Sequence, residues 1–246
     1  MADPQQSPTP SAEARCEVRT TSEPPDWSGF LSGRPDATIY HDPRWGAVMA
    51  ETYGNRPVYL TAAREGRVVG VLQVVEQKSL LFGSHLCSLP YFDAAGVLSD
   101  DADAGAALVR AAEELRRERK VEWIELRQMK PLEGDLPVRT DKVTLQLGLS
   151  EDPEPLWKSL KPKVRNQVRK AEKAELTCAQ GGDELLDEFC GIYVRNMRDL
   201  GSPPHSRRFF QSLIDHFGDA VRLFVVRQGD MPVAASLTLR DAQAAR

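Results

Sequence analysis

A chain of 246 residues with 41% hydrophobic content can bury one large or two small cores, which excludes a wholly disordered protein. A net charge of −4 excludes bulk attraction to nucleic acid or membrane, so any anion binding must be local. Four cysteines (Cys16, Cys87, Cys178 and Cys190) show no CxxC pair and no Cys/His metal spacing, so neither zinc nor a disulfide framework is implied.

Residues 1–36 are rich in Pro, Ser, Ala and Glu and are expected to form a disordered tail, with one strand near 16–20. The start lacks the basic and apolar segments of a secretory signal. No run approaches the roughly 18–20 apolar residues of a membrane span. The expectation is a cytoplasmic protein without stable membrane insertion. Asp42-Pro43-Arg44-Trp45 opens a helix, with Asp42 as its cap, that runs to Tyr53 before Gly54-Asn55 stops it. His41, just outside, reads as a residue helping that helix start.

Residues 58–77 hold two β-rich runs joined at Glu65-Gly66-Arg67, a hairpin. A short strand at 86–89 leads into Pro90-Tyr91-Phe92-Asp93 and a loop through Gly96. Ligands often meet α/β sheets at such strand ends, so Tyr91 and Asp93 are candidate substrate-binding residues. Residues 101–120 read as a helix, and 121–126 and 142–147 alternate like half-buried strands. This is an α/β unit with helices covering a mixed sheet, assigned to residues 37–150.

After an acidic, proline-bearing break at 150–155, the run 156–175 holds seven Lys or Arg against two Glu. On a helix starting near Pro162, Arg165, Arg169 and Lys173 form one basic ridge, with Lys161 at the cap and Leu160, Val164, Val168 and Ala171 beside it. Successive like charges at i, i+4 cost about 0.2–0.5 kcal/mol each, a cost that facing an anion would offset. The ridge suits a phosphorylated ligand such as a uridine diphosphate sugar, coenzyme A or an RNA backbone, and composition does not choose among them. A solvated basic face packed through its valines is the competing reading.

A strand near 176–179, helices at 184–200 and 207–217, and a second hairpin after 220 complete the chain. That hairpin echoes the first: Arg64 and Gly66 match Arg227 and Gly229 at an offset of 163, slipping by one where Gly70 meets Ala234. Two copies of one fold follow, the second over 151–246 and expected to be truncated. Glycine-rich nucleotide loops, HExxH and GxSxG are absent. No side chain stands out as a general base, so the catalytic residues stay unassigned. His205 and His216 flank the 207–217 helix without a Cys or Ser partner in register and read as surface residues.

The run Leu160-Lys161-Pro162-Lys163-Val164-Arg165-Asn166-Gln167-Val168-Arg169-Lys170-Ala171-Glu172-Lys173 resembles the FemAB-related acyltransferases. Tyr193-Val194-Arg195, Leu200-Gly201-Ser202-Pro203 and Leu89-Pro90-Tyr91 extend the likeness over roughly 38–246. More narrowly, the chain resembles the branch associated with exopolysaccharide and PEP-CTERM/exosortase loci. The resemblance implies tandem GNAT-like domains and transfer of an acyl or aminoacyl group to a cell-envelope or exopolysaccharide precursor. Acyl-CoA or aminoacyl-tRNA would be the co-substrate, with no resident cofactor or metal. The substrate-binding candidates are then Lys161, Arg165, Arg169, Lys173, Tyr91, Asp93, Arg195 and His205. Family members continue for about another hundred residues, so this chain alone is expected to be inactive. The alternative is a non-catalytic module that binds a phosphorylated glycan precursor or RNA.

Overall fold

The computed structural model describes residues 16–79, 83–133, 136–140 and 143–241. A strand, two helices and a hairpin come first: β1 (Glu17–Thr21), α1 (Ser28–Leu31), α2 (Arg44–Tyr53), β2 (Arg56–Arg64) and β3 (Arg67–Ser79). Then follow β4 (Gly83–Cys87), β5 (Leu98–Ser99), α3 (Ala102–Arg119) and β6 (Trp123–Glu125). The second half begins with a helix pair, α4 (Pro153–Ser159) and α5 (Pro162–Glu172). After it the opening order returns: β7 (Leu176–Gly181), α6 (Leu186–Asp199), α7 (Arg207–Phe217), β8 (Val221–Gln228) and β9 (Met231–Leu239).

The first sheet runs β1-β2-β3-β4-β6, with β5 on β3, antiparallel except for the parallel β4–β6 pair; the second is an antiparallel β7-β8-β9 sheet. Alternation along β2 and β3 sends Leu60, Leu72 and Val74 to one face, where Leu108, Ala112 and Leu115 of α3 cover them. Asp101 starts α3 by accepting the Ala104 N–H at 2.8 Å, and Lys120 ends it in the left-handed region. The opposite face meets α1 and α2.

The two halves close on each other through α2 and α7, the helices that precede the two hairpins. Trp45 is fully buried there, 4.8 Å from the Phe217 ring and 4.4 Å from that of Phe92. One core cluster therefore runs from Val48, Met49 and Leu89 to Phe189, Phe210 and Leu223. Polar contacts frame it. Arg44 Nη1 donates to the His216 carbonyl at 2.9 Å, and Glu51 meets Ser212 Oγ at 2.9 Å and His216 Nε2 at 3.0 Å.

Several expectations change. The expected disordered tail gives way from Glu17 onward, since β1 pairs with β2, Trp27 is 2% exposed and Arg34 ion-pairs with Asp100; residues 1–15 lie outside the described residues. Of the strand expected at 142–147, Lys142 lies outside the described residues, and Val143, Leu145 and Leu147 are exposed without regular structure. Alternation makes a strand only where a neighbouring strand takes its hydrogen bonds, and no described strand pairs with this run.

The hairpin echo holds, but at an offset of 164. Arg64 faces Arg67 across the first turn and Gln228 faces Met231 across the second, so Glu65-Gly66 corresponds to Gly229-Asp230. The first turn takes positive φ at both residues (53° and 79°), whereas the second places its glycine first, at 59°. The glycine thus shifts by one position. Each hairpin carries a bulge at the same place, between Ala62 and Ala63 and between Val226 and Arg227.

Candidate functional site at the junction of the halves

The packing of α2 on α7 brings together two of the candidates. Tyr91 stands on the turn after β4, and His205 ends the Gly201–His205 loop just before Ser206, whose Oγ caps α7 by accepting the Phe209 N–H at 3.3 Å. Their rings meet edge to face, centroids 4.8 Å apart. Tyr53 at the end of α2 completes the contact, its Oη 2.5 Å from His205 Nδ1 and its ring 5.2 Å from that of Tyr91. On the other side the Tyr193 ring of α6 lies parallel to the imidazole, and its hydroxyl accepts the His205 backbone N–H at 3.2 Å.

This cluster sets its own protonation. Burial holds the His205 imidazole below its ordinary pKa, so the ring is neutral at neutral pH. Burial, reinforced by Tyr91 and Tyr193, pushes the Tyr53 phenol well up, so it keeps its proton. Tyr53 engages Nδ1 and leaves Nε2 as the other ring nitrogen, the arrangement of an oriented imidazole. The surface role expected for His205 is therefore corrected: it is half-buried among Tyr53, Tyr91, Tyr193 and Phe209. His216 is also drawn in, through Glu51. His41 does not cap α2 but closes the one-turn 3₁₀ helix Ile39–His41 just before it, its Nδ1 accepting the Thr38 N–H at 3.0 Å in a capping box.

Beside the cluster, an open pocket of about 310 Å³ lies between α6 and β9. Phe189, Ile192, Tyr193 and Asn196 line it from α6, and Val233, Ala234 and Ala235 from the bulged part of β9. Aliphatic and aromatic side chains share its walls with the Tyr193 phenol, the Asn196 amide and exposed backbone.

The other candidates stand apart from this cluster. Asp93 pairs with Arg127 at 3.5 Å, and Arg195 is exposed on α6. The basic ridge forms the expected helix from Pro162, but α5 has no buried residue and contributes to none of the three core clusters. Its valines do not pack into a core: Val164 and Val168 are each 39% exposed. Lys161, Arg169 and Lys173 are exposed, with Arg169 over the Trp157 ring at 5.8 Å, while Arg165 is half-buried with its Nε shut off from solvent and unpaired. Among the described residues no group of three or more His, Cys, Asp or Glu is placed to hold a metal. No helix among them is long and apolar enough to cross a membrane.

Tyr53 carries no sequence signal beyond its place at the end of an amphipathic helix. The histidine could have been marked by its aromatic company, since Phe209 and Phe210 follow it within one turn and Tyr193 lies one helix earlier.

Comparison with known proteins agrees with this architecture. Residues 158–245 match the family described as acetyltransferase (GNAT) domain. The crystal structure of FemX superposes with a TM-score of 0.56 at 18% identity, covering 85% of this chain and 57% of that one. The chain thus spans little more than half the length of FemX. A tandem GNAT protein from the clavulanic acid biosynthesis pathway aligns with a TM-score of 0.43 at 12% identity, over 92% of this chain and 75% of its own. No curated protein matches the chain. The segment 158–245 is a match to the GNAT acetyltransferase domain, and the chain has the mixed α/β, GNAT-type fold found in FemX.

Proposed function

We propose that this chain works as an acyl- or aminoacyl-transferase on a cell-envelope or exopolysaccharide precursor, with its centre at the junction of the halves. The observation that carries this reading is the meeting of Tyr91 and His205 from opposite halves, beside an open pocket between α6 and β9, in a chain with an acetyltransferase-domain match. The amine or hydroxyl of the acceptor attacks an activated acyl carbonyl, and neutral His205 takes the acceptor's proton through Nε2, directly or through one water. The α6–β9 cavity suits the acyl portion. Acyl-CoA or aminoacyl-tRNA supplies the group, and the α5 ridge, through the exposed side chains of Lys161, Arg169 and Lys173 with Arg165 beside them, grips phosphate of the donor or acceptor.

One observation favours a second reading, a non-catalytic module for a phosphorylated glycan precursor or RNA: α5 stands outside the core and apart from the aromatic cluster. A single assay separates the two. The chain, continued at its C-terminus by the roughly hundred further residues that the family resemblance implies because the 246 residues alone are expected to be inactive, is incubated with acetyl-CoA or aminoacyl-tRNA and uridine diphosphate-linked envelope precursors, and the acceptor is followed by mass spectrometry. Transfer should appear and should fall in the Arg165→Ala/Arg169→Ala double variant through a raised KM. Binding should weaken on the order of tenfold between 50 and 200 mM salt, from release of a few counterions. Salt-sensitive binding without transfer from either donor selects the binding module, and binding unaffected by salt or by the double variant removes α5 from both.

A further inference from the structure

Exposed aliphatic side chains concentrate between residues 143 and 171. Val143, Leu145, Leu147 and Leu149 alternate along a run without regular structure, and even Leu147, the least exposed of them, leaves 67% of its surface in water. Only Ser150, Glu151 and Asp152 separate this run from α4. On α5, Val164, Val168 and Ala171 share one side of the helix, and all three are exposed. The preceding helix does not cover that side: it lies against the basic ridge, where the Arg169 guanidinium sits over the Trp157 ring. A single exposed aliphatic residue is ordinary, but a succession of them marks a surface that a partner covers.

The free charges beside it are positive. Lys163 and Lys170 lie about two turns apart on one flank of the valine side, opposite to the flank of Arg165 and Arg169. Both are exposed, and neither pairs with a carboxylate among the described residues. Glu172, the one acid on α5, falls on the other flank. Two of the acids before α5 are engaged locally: Asp152 caps α4 by accepting the Glu154 N–H at 3.0 Å, and Glu154 pairs with Lys158 at 3.6 Å. A lysine stem runs along apolar surface while its ammonium stays in a polar layer, so an apolar strip edged by lysines matches the boundary between acyl chains and anionic groups. The net charge of −4 does not oppose this, because exposed charges beyond about 8–10 Å are screened.

A free phosphate or an RNA backbone would use the lysines and leave the aliphatic residues in water. A bilayer containing anionic lipid takes both, and being flat and fluid it requires no matching groove on either side. We propose that residues 143–171 are a docking surface for an anionic lipid bilayer, with Leu145, Leu147, Leu149, Val164 and Val168 entering the headgroup–acyl boundary and Lys163 and Lys170 meeting lipid phosphates. This is attachment to a surface and not a span, since no described helix is long and apolar enough to cross. The ridge cations Arg169 and Lys173 stand on another side of α5, so the docking surface goes beyond the acyl-transfer reading and does not depend on it.

Flotation of the full chain with lipid vesicles tests it. The chain should bind phosphatidylcholine vesicles containing about 30% phosphatidylglycerol on the order of tenfold more tightly than vesicles of phosphatidylcholine alone. The pair Lys163→Glu/Lys170→Glu should weaken that binding about tenfold, and Leu145→Ser/Leu147→Ser by a similar factor. Both pairs should keep the wild-type melting temperature, because all four side chains are exposed. Absent binding, equal binding to the two kinds of vesicle, or binding that survives both pairs overturns the proposal. Polyuridylate bound in place of vesicles, sensitive to the lysine pair and indifferent to the leucine pair, assigns the lysines to RNA and overturns it as well. A dimer that the leucine pair dissociates, with no vesicle binding, puts a second copy on the run and contradicts it. Vesicle binding that is lost once the chain is continued at its C-terminus shows that the added residues cover the patch, and this too contradicts it.

Discussion

The bulge residue of the first hairpin, Val69, is 5% exposed, and its counterpart in the second, Val233, is 42% exposed, although both hairpins bulge at the same register. The difference lies in what covers them. Beside the first bulge, a Cβ on Gly70 would stand 2.9 Å from Cδ1 of the Leu108 side chain on α3 and 3.3 Å from the Leu98 carbonyl of β5, so a larger residue would have to push that side chain and strand aside. At the equivalent position, Ala234 lines the α6–β9 cavity. The same local device thus closes a packed sheet in one half and leaves room in the other. A local sequence pattern specifies the hairpin; the tertiary neighbour decides whether the bulge is filled or available to a ligand.

The comparison can be broken most severely where the halves join. Trp45→Ala removes the ring that contacts Phe92 and Phe217, and should cost about 3–5 kcal/mol in denaturant unfolding, with both hairpins losing protection together. Independent unfolding of the halves would show that the junction is not a shared core. Gly70→Ala should cost about 1–3 kcal/mol by forcing Leu108 and β5 aside. Ala234→Gly should cost less, about 0.5–1 kcal/mol, because it loses strand propensity and little packing. Equal costs would erase the distinction between a filled and an open bulge.

The smallest effect is the dependence of stability on pH. Burial lowers the folded pKa of His41, His85 and His205, so the unfolded chain takes up their protons first. Their contribution is fully present above the ordinary histidine value near 6.5 and is lost as pH falls from there through the folded values. Melting temperature should therefore decline below about pH 6.5. His205→Gln should flatten part of that decline, and a melting temperature that rises on acidification through this window would reverse the assignment.

Much of the fold was legible because its signals are local. Asp101 before an apolar-periodic run, Gly54 after another, and Glu65-Gly66 between β-rich runs each act within a few residues. The junction was not legible in the same way. Tyr53 and His205 are separated by 152 residues and meet only because α2 packs on α7. Tyr91 was singled out by its place at a strand end, yet its left-handed backbone gives no sign in a residue type that seldom adopts it. Residues 17–36 were misread because polar composition masked one deeply anchored residue, Trp27, whose Nε1 donates to Thr61 Oγ1 at 2.9 Å. The basic ridge shows the opposite case, a strong sequence signal whose helix forms as expected but buries none of its residues.

The central claim is that one functional centre is assembled from both halves, and a double-mutant cycle on acyl transfer tests it most directly. Tyr91→Phe and His205→Gln should each slow transfer, the second by on the order of 100-fold, as expected for loss of a general base. Combined, they should cost little more than His205→Gln alone, because the two side chains act on one bound acceptor. Fully additive losses, or a His205→Gln variant that transfers at the wild-type rate, would contradict a shared centre at the junction.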